Sequence, residues 1–315
     1  MRFALLLLLL SGCSRDDQPV TLGGRTMGTT WSLRVDGGAG TISQKEIQRQ
    51  FDSWESIISH WRPDSAISRF NASSSTDWVA VPAELVEVVE LAKQIGGETD
   101  HVLDITIGPL IDLWGFGAAG RRDTAPTEAE IAGAKSKCGW QHLHARHDPP
   151  ALRKDIPGLR INVSAVAEGW AMDHLAQHLE TAGATRFLLE IGGEVLARGE
   201  WRVGIQTPAA APGESAQTLL LKDQSIATSG VYRQHFTAGG KEYAHVLDPR
   251  TGRPIEHKLA SVSVIHPSAA QADGFATALL VLRPEAGRRL AEKLGLHVAE
   301  ADVKVTEATC GTAGL

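Results

Sequence analysis

The stretch YAHVLDPRTGRPI, residues 243–255, sets an extended run against an abrupt turn. Tyr243, His245, Val246 and Leu247 have strand character, while Asp248, Pro249, Arg250, Thr251 and Gly252 end the run as turn formers. The pattern predicts a hairpin, and a hairpin implies antiparallel pairing. A hairpin alone gives no reason for a histidine and an aspartate to flank the turn. Outward from it, strands are expected at 186–191, 201–206, 231–237, 243–247 and 261–265, separated by glycine-rich turns. Helical spacing of apolar residues marks 44–58, 83–95, 164–181, 269–282 and 284–294, the second opened by Pro82 and closed by Gly96 and Gly97. Hairpins mixed with separate helices, without a regular repeat, give an α+β class: mixed, largely antiparallel sheets with flanking helices. Residues 118–130 and 209–216 are expected as exposed loops.

The N-terminus bears on the compartment. Arg2 gives a positive start, residues 3–10 are an unbroken apolar run, and Leu10-Ser11-Gly12-Cys13 places small residues before a cysteine. This is the pattern of a lipoprotein leader over 1–12, with cleavage before Cys13, lipidation of its thiol, a tether over 13–25 and a folded domain over 26–315. The run is too short to span a bilayer as a mature helix, and no second stretch of about twenty apolar residues follows. The expectation is an exported protein, lipid-anchored to a membrane at the periplasmic face of the inner membrane. Ser14 after Cys13 leaves outer-membrane sorting open.

A formal net charge of -6 argues against a general nucleic-acid binder, whose phosphate contacts favour a basic face. With Cys13 lipidated, only Cys138 and Cys310 remain, which excludes a disulfide framework or a cysteine-based zinc cluster.

Four local patterns carry candidate chemistry, each beside an ordinary alternative. DITIGPLIDLWGFG (104–117) sets an acid and polar positions beside glycine, proline and aromatics, and a strand-turn-helix junction over a buried Trp114 is its plain explanation. NVSAVAEGWAMD (162–173) opens a helix whose free N–H groups suit an anion. Glu168 falls near its start and Gly169 leaves room for a ligand or a close neighbour, while Asn162 or Ser164 would serve as a simple cap. EIGGEVLARG (190–199) lacks the dinucleotide glycine spacing and precedes a strand, so a tight turn at Gly192 and Gly193 is expected instead. QADGFATALLVL (271–282) puts Asp273 and Thr277 four residues apart, on one helix face. A carboxylate and a hydroxyl so placed suit Mg²⁺, which keeps few protein ligands; an acid favoured by the helix dipole plus a buried threonine is the alternative. His142, His144 and His147 lack helix spacing and are expected to be solvated rather than metal-binding.

In one order the chain carries TMGTTW (26–31), SHWRPDSAISRFN (59–71), LDITIGPLIDLWGFG (103–117), NVSAVAEGWAMDHL (162–175), EIGGEV (190–195), TSGVYRQ (228–234), HVLDPRTGRPI (245–255) and ADGFATAL (272–279). This succession resembles the ApbE family of FAD:protein FMN transferases. The resemblance implies a T-fold-like domain, FAD as substrate and Mg²⁺ as cofactor. It implies transfer of the FMN moiety to a Thr or Ser hydroxyl of an exported acceptor flavoprotein, such as a membrane redox subunit, with release of AMP. It places Met27, Trp61, Val102, Leu103, Asp104, Asn162, Glu168 and Leu247 along FAD. The Ala165 carbonyl, the Asp273 carboxylate and the Thr277 side chain are implied as metal ligands.

Trp61 stands where tyrosine is common in the family, Asn162 where aspartate is common, and Glu168 where lysine or glutamate occurs. Tryptophan keeps a stacking face and loses the phenol hydroxyl. Asparagine removes one negative charge near the phosphates or the metal. His245 and Asp273 are the implied catalytic residues, His245 orienting or deprotonating the incoming hydroxyl. The turn after His245 is expected to lie against the FAD pyrophosphate, with its glycine allowing close backbone approach. A FAD pyrophosphatase, with water replacing the hydroxyl, and a non-catalytic FAD-binding lipoprotein stay open as alternatives.

Overall fold

A computed structural model of the chain describes residues 19–36, 42–205, 217–231 and 235–302. The leader, Cys13, the loop expected at 209–216 and Cys310 lie outside the described residues. The strands are β1 Val20–Thr26, β2 Thr29–Val35, β3 Val79–Ala80, β4 Leu143–Arg146, β5 Ala151–Lys154, β6 Phe187–Ile191, β7 Glu194–Arg198 and β8 Glu200–Ile205. They continue with β9 Gln217–Lys222, β10 Ser225–Gly230, β11 His235–Ala238, β12 Lys241–Ala244, β13 Leu247–Asp248, β14 Arg253–Pro254, β15 Leu259–His266 and β16 His297–Asp302. The helices are α1 Gln44–Ile58, α2 Ala66–Ala72, α3 Ala83–Glu98, α4 Gly108–Leu113, α5 Glu128–Lys135, α6 Ser164–Thr181, α7 Ala269–Val281 and α8 Pro284–Leu294.

The α+β expectation holds. The main sheet runs β1-β2-β6-β7-β10-β15-β16, and every neighbouring pair in it is antiparallel. Alternation along a strand decides which side chains meet which layer. Phe187, Leu189 and Ile191 of β6 enter the main core with the helices, and the intervening Leu188 packs against a second cluster. That second cluster joins Val195 and Ile226 of the sheet to Trp201, Val203 and Leu221 of the β8–β9 hairpin, so both faces are covered. Covering both faces lets β15 read as a continuous buried run, from Leu259 to Val264, instead of alternating.

Helix α7 is apolar nearly all round and correspondingly buried. It lies between α6 and strands β10 and β15. The crossing of α6 and α7 is close enough that a Cβ added at Gly169 would stand 2.4 Å from the Ala269 carbonyl oxygen. Asp173 of α6 caps the start of α7. Its carboxylate accepts from the Ser268 hydroxyl at 2.6 Å, the Ala269 N–H at 2.8 Å and the Ala270 N–H at 3.1 Å.

A satellite cluster of Leu110, Trp114, Ile131 and Leu247 supports the 243–255 hairpin. The Trp114 indole N–H donates to the Gly252 carbonyl at 2.9 Å, and a Cβ at Gly252, with φ of 72°, would meet Ile131 and Leu110. The turn glycine therefore permits close approach to a hydrophobic layer. The strand expected over 243–247 is also divided. Strand β12 pairs with β11 as far as Ala244, and Leu247 then pairs with Pro254 in a separate ladder. Of the strand expected over 231–237, the end is strand, β11 from His235, while 232–234 lie outside the described residues. Within the loop expected at 118–130, α5 begins at Glu128 behind a reciprocal Thr127–Glu130 capping box. Strand β1 begins at Val20, inside the stretch expected as a tether.

The approach to α6 is fixed by two buried polar groups. The Asn71 side chain donates to the Ile161 carbonyl and accepts from its N–H, both at 2.8 Å. Lys154, fully buried, donates to the carbonyls of Phe70 at 3.1 Å, Asn71 at 3.4 Å and Leu159 at 3.0 Å. Burial, aided by Arg160, pushes its pKa from the usual 10.5 down to about 8. Between those two values the unfolded chain holds a proton that the folded chain has lost, so this group favours folding increasingly as pH rises. The stability of the parent relative to Lys154→Met should therefore improve from pH 7 to pH 10, on the order of 1 kcal/mol or more, in paired denaturant titrations. An unchanged difference across that range would refute a depressed Lys154.

Candidate active site

The functional cavity encloses about 320 Å³ and is built from several separate parts of the chain. The first turns of α6 supply Ser164, Ala165 and Glu168; α7 supplies Asp273, Thr277 and Val281. Strand β7 opens with Glu194, and β10 ends with Thr228, Ser229 and Gly230. The remaining wall comes from His60 and Trp61, from the 102–107 segment with Asn162, and from 245–247. Of the residues implied along FAD, Trp61, Val102, Leu103, Asp104, Asn162, Glu168 and Leu247 all line it, as do Ala165, His245, Asp273 and Thr277.

Asp273 is 5% exposed although its helix is otherwise apolar there, and its carboxylate faces the Gly169 N–H across the α6–α7 crossing at 3.4 Å. One turn later the Thr277 hydroxyl lies 2.8 Å from that of Ser229 on β10. The helix crossing thus brings Ala165, Asp273 and Thr277 to one cavity. One carboxylate with neutral oxygens matches what Mg²⁺ accepts when phosphates and water complete its shell. Among the described residues no group of three His, Cys, Asp or Glu side chains is gathered as a metal cage.

Charge sharpens this fit. Asp104, Glu168, Glu194 and Asp273 line the cavity, and no lysine or arginine does so among the described residues.

The wall residues are locally locked. Asp104 accepts from the Thr106 N–H at 2.8 Å and its hydroxyl at 2.6 Å, and the Asn162 N–H donates to the Ile105 carbonyl at 2.7 Å. The Asn162 side chain accepts from the N–H of Ser164, the first residue of α6, at 2.9 Å, while Val163 holds the N-cap position without a side-chain cap. The room at Gly169 is taken by α7 rather than by a ligand. Gly192, at φ of 60° in the β6–β7 turn, would with a Cβ meet Glu168 and Thr29 at 3.2 Å, so the tight turn closes against that wall.

Met27 does not line the cavity. It occupies the β1–β2 turn with φ of 50°, where its N–H donates to the Glu55 carboxylate at 2.6 Å and its side chain packs on the main core. Of the pair flanking the 248–252 turn, only His245 reaches the cavity. Asp248 holds its own turn, accepting from the Arg250 N–H and guanidinium, both at 2.9 Å. The histidine cluster is divided between surface carboxylates. His142 and His144 face Asp155, and His147 faces Glu90. Cys138 is a free thiol whose pKa burial pushes up to about 12.

Glu194, His60 and Ser229 were not singled out from sequence. Glu194 is 5% exposed at the cavity wall. An acid directly after a turn and before an apolar strand was the one available signal. His60 approaches the Ser164 hydroxyl at 3.4 Å and sits beside Trp61, with ring centroids 4.8 Å apart. Burial lowers its pKa, partly opposed by Asp112.

Comparison with known proteins agrees with this geometry. The model of the ApbE family matches residues 27–299. The FAD:protein FMN transferase of Klebsiella pneumoniae is 39% identical over 309 residues, spanning 92% of this chain and 88% of that protein. That of Escherichia coli K12 is 38% identical over 310 residues, with the same coverage, 92% and 88%. The structure of the flavin transferase ApbE from Vibrio cholerae superposes with a TM-score of 0.81 at 36% identity, over 91% of this chain and 94% of that one. The apo flavinyl transferase ApbE of Pseudomonas stutzeri gives a TM-score of 0.83 at 33% identity, over 91% and 92%. From the matched family model, the identity to these relatives and the shared architecture, the chain belongs to the ApbE family.

Proposed function

We propose that the protein transfers the FMN moiety of FAD to a Thr or Ser hydroxyl of an acceptor flavoprotein, releasing AMP, with Mg²⁺ as cofactor. The observation that carries the reading is the cavity wall. A buried Asp273 and a Thr277 hydroxyl stand one helical turn apart beside Ala165, in a cavity whose wall also carries Trp61, Val102 and Leu103. Relatives named FAD:protein FMN transferase over most of their length support the same chemistry.

Asp273, Thr277 and the Ala165 carbonyl would hold the metal. Bound there, Mg²⁺ would supply counter-charge to the phosphate oxygens. The chain's own residues bind and orient the rest. Trp61, 57% exposed at the rim, offers an aromatic face to a flavin or adenine ring, and Val102 and Leu103 give an apolar wall. The acceptor oxygen bonds to the phosphorus of the FMN half while the bond from that phosphorus to the bridging oxygen breaks, and AMP leaves with the electron pair. His245 takes the hydroxyl proton. Incubation with FAD, Mg²⁺ and a Thr-containing acceptor should give acid-stable flavin on the acceptor and AMP. Free FMN with AMP would mark a pyrophosphatase, and unchanged FAD a binder.

Asp273→Asn should retain FAD binding within a few-fold and lose about 100-fold or more in turnover at limiting Mg²⁺, with partial rescue by excess metal. Parental turnover under limiting Mg²⁺ would exclude this metal site. Trp61→Ala should weaken FAD binding roughly two- to tenfold, read by flavin fluorescence titration, and an equal affinity would place Trp61 outside the site. We also propose that the protein is exported and anchored through a lipid on Cys13, on the strength of the leader pattern. Cys13→Ser should move it from the membrane to the soluble fraction, and unchanged fractionation would remove the anchor.

A further inference from the structure

Asp100 and His101 are consecutive residues with φ of 53° and 56°, the left-handed region that side chains with a Cβ occupy at a cost. Such a pair persists only where its surroundings over-determine it. The next three residues, Val102, Leu103 and Asp104, form one wall of the cavity. Two contacts hold the pair. The His101 N–H donates to the Gly96 carbonyl at 2.7 Å, and the His101 ring stacks on Trp140 with centroids 3.7 Å apart and planes 8° apart.

The loop that carries Trp140 grips the same wall a second time. The Gly139 N–H donates to the Thr106 hydroxyl at 2.7 Å, and that hydroxyl donates to the Asp104 carboxylate at 2.6 Å. On the opposite side the wall cannot retreat, because a Cβ at Gly96 would already lie 2.8 Å from the Leu103 carbonyl oxygen. Trp140 itself does not line the cavity and is 38% exposed, more than a side chain placed only to fill the core.

We propose that Trp140 is a positioning residue for FAD, holding the left-handed Asp100–His101 turn by its stack on His101 and so fixing the Val102–Asp104 wall against the nucleotide. The inference rests on the FAD reading of the cavity. Its effect belongs to substrate affinity and not to the chemical step, since neither His101 nor Trp140 lines the cavity that holds His245, Asp273 and Thr277.

The test uses the mature protein and FAD itself, with Trp140→Ala, Trp140→Phe and the double variant Trp140→Ala/Asp100→Gly. Trp140→Ala should raise the FAD Kd about three- to tenfold, the range an aromatic pair is worth, while turnover at saturating FAD stays within about twofold. Trp140→Phe should stay near the parent. Adding Asp100→Gly should recover most of the lost affinity, because glycine adopts a left-handed φ without steric cost and restores no contact with FAD. A general loss of stability would lower the melting temperature of Trp140→Ala without this split between affinity and turnover, and without rescue. A parent that binds FAD and a Trp140→Ala protein of equal affinity would overturn the positioning role alone. A parent that binds no FAD would overturn the FAD reading as well.

Discussion

The site depends on the close crossing of α6 over α7. Gly169 removes the Cβ that would otherwise collide with the Ala269 carbonyl, and Asp173, one turn further along α6, caps the first N–H groups of α7. These two contacts set the separation and the axial register of the helices. Register then decides chemistry, because Ala165 lies one turn before Gly169 while Asp273 and Thr277 follow the capped start of α7. A slip of one residue along α7 would turn Asp273 by about 100° around the helix, away from the cavity. The Asp273 carboxylate is held near the Gly169 N–H at this same crossing.

Around that crossing the cavity is assembled from segments that do not share an element. The 102–106 wall is braced by α3 through Gly96, by the α6 approach through Asn162 and Ile105, and by the Gly139–Trp140 loop. Strand β10 sets Ser229 against Thr277. The hairpin that carries His245 is held from behind by Trp114, whose indole grips the Gly252 carbonyl. Backbone that would be costly in isolation is kept at the rim, in the Met27 turn on the Glu55 carboxylate and in the Asp100–His101 pair. Precise placement here comes from many small braces rather than from one strong bond.

The four carboxylates facing the cavity give it a character that the small overall charge does not. With Mg²⁺ bound as proposed, cation and anionic dinucleotide would reinforce each other's binding. Trp61 and the apolar 102–103 wall would then contribute by stacking and burial, contacts that do not depend on charge.

The amino-acid sequence determined the helices well. The bounds of α1, α6 and α8 matched their apolar spacing, whereas α5 opens, behind its Thr127–Glu130 box, inside a stretch whose composition suggested a loop. It also determined the family, because eight blocks in one order leave little freedom, and most of the site residues followed from those blocks. The strands were less legible. β15 is buried on both faces and lacks alternation, and β12 changes partner after Ala244, an exchange set by packing around Trp114. Tertiary structure alone decided that Gly252 meets Leu110 and Ile131, that Gly169 meets a helix, and that Glu194 and His60 join the cavity while Met27 packs on the core. Spacing along the chain fixes which residues share a face of one element, whereas a site made from several separate segments depends on distances that only the packed core supplies.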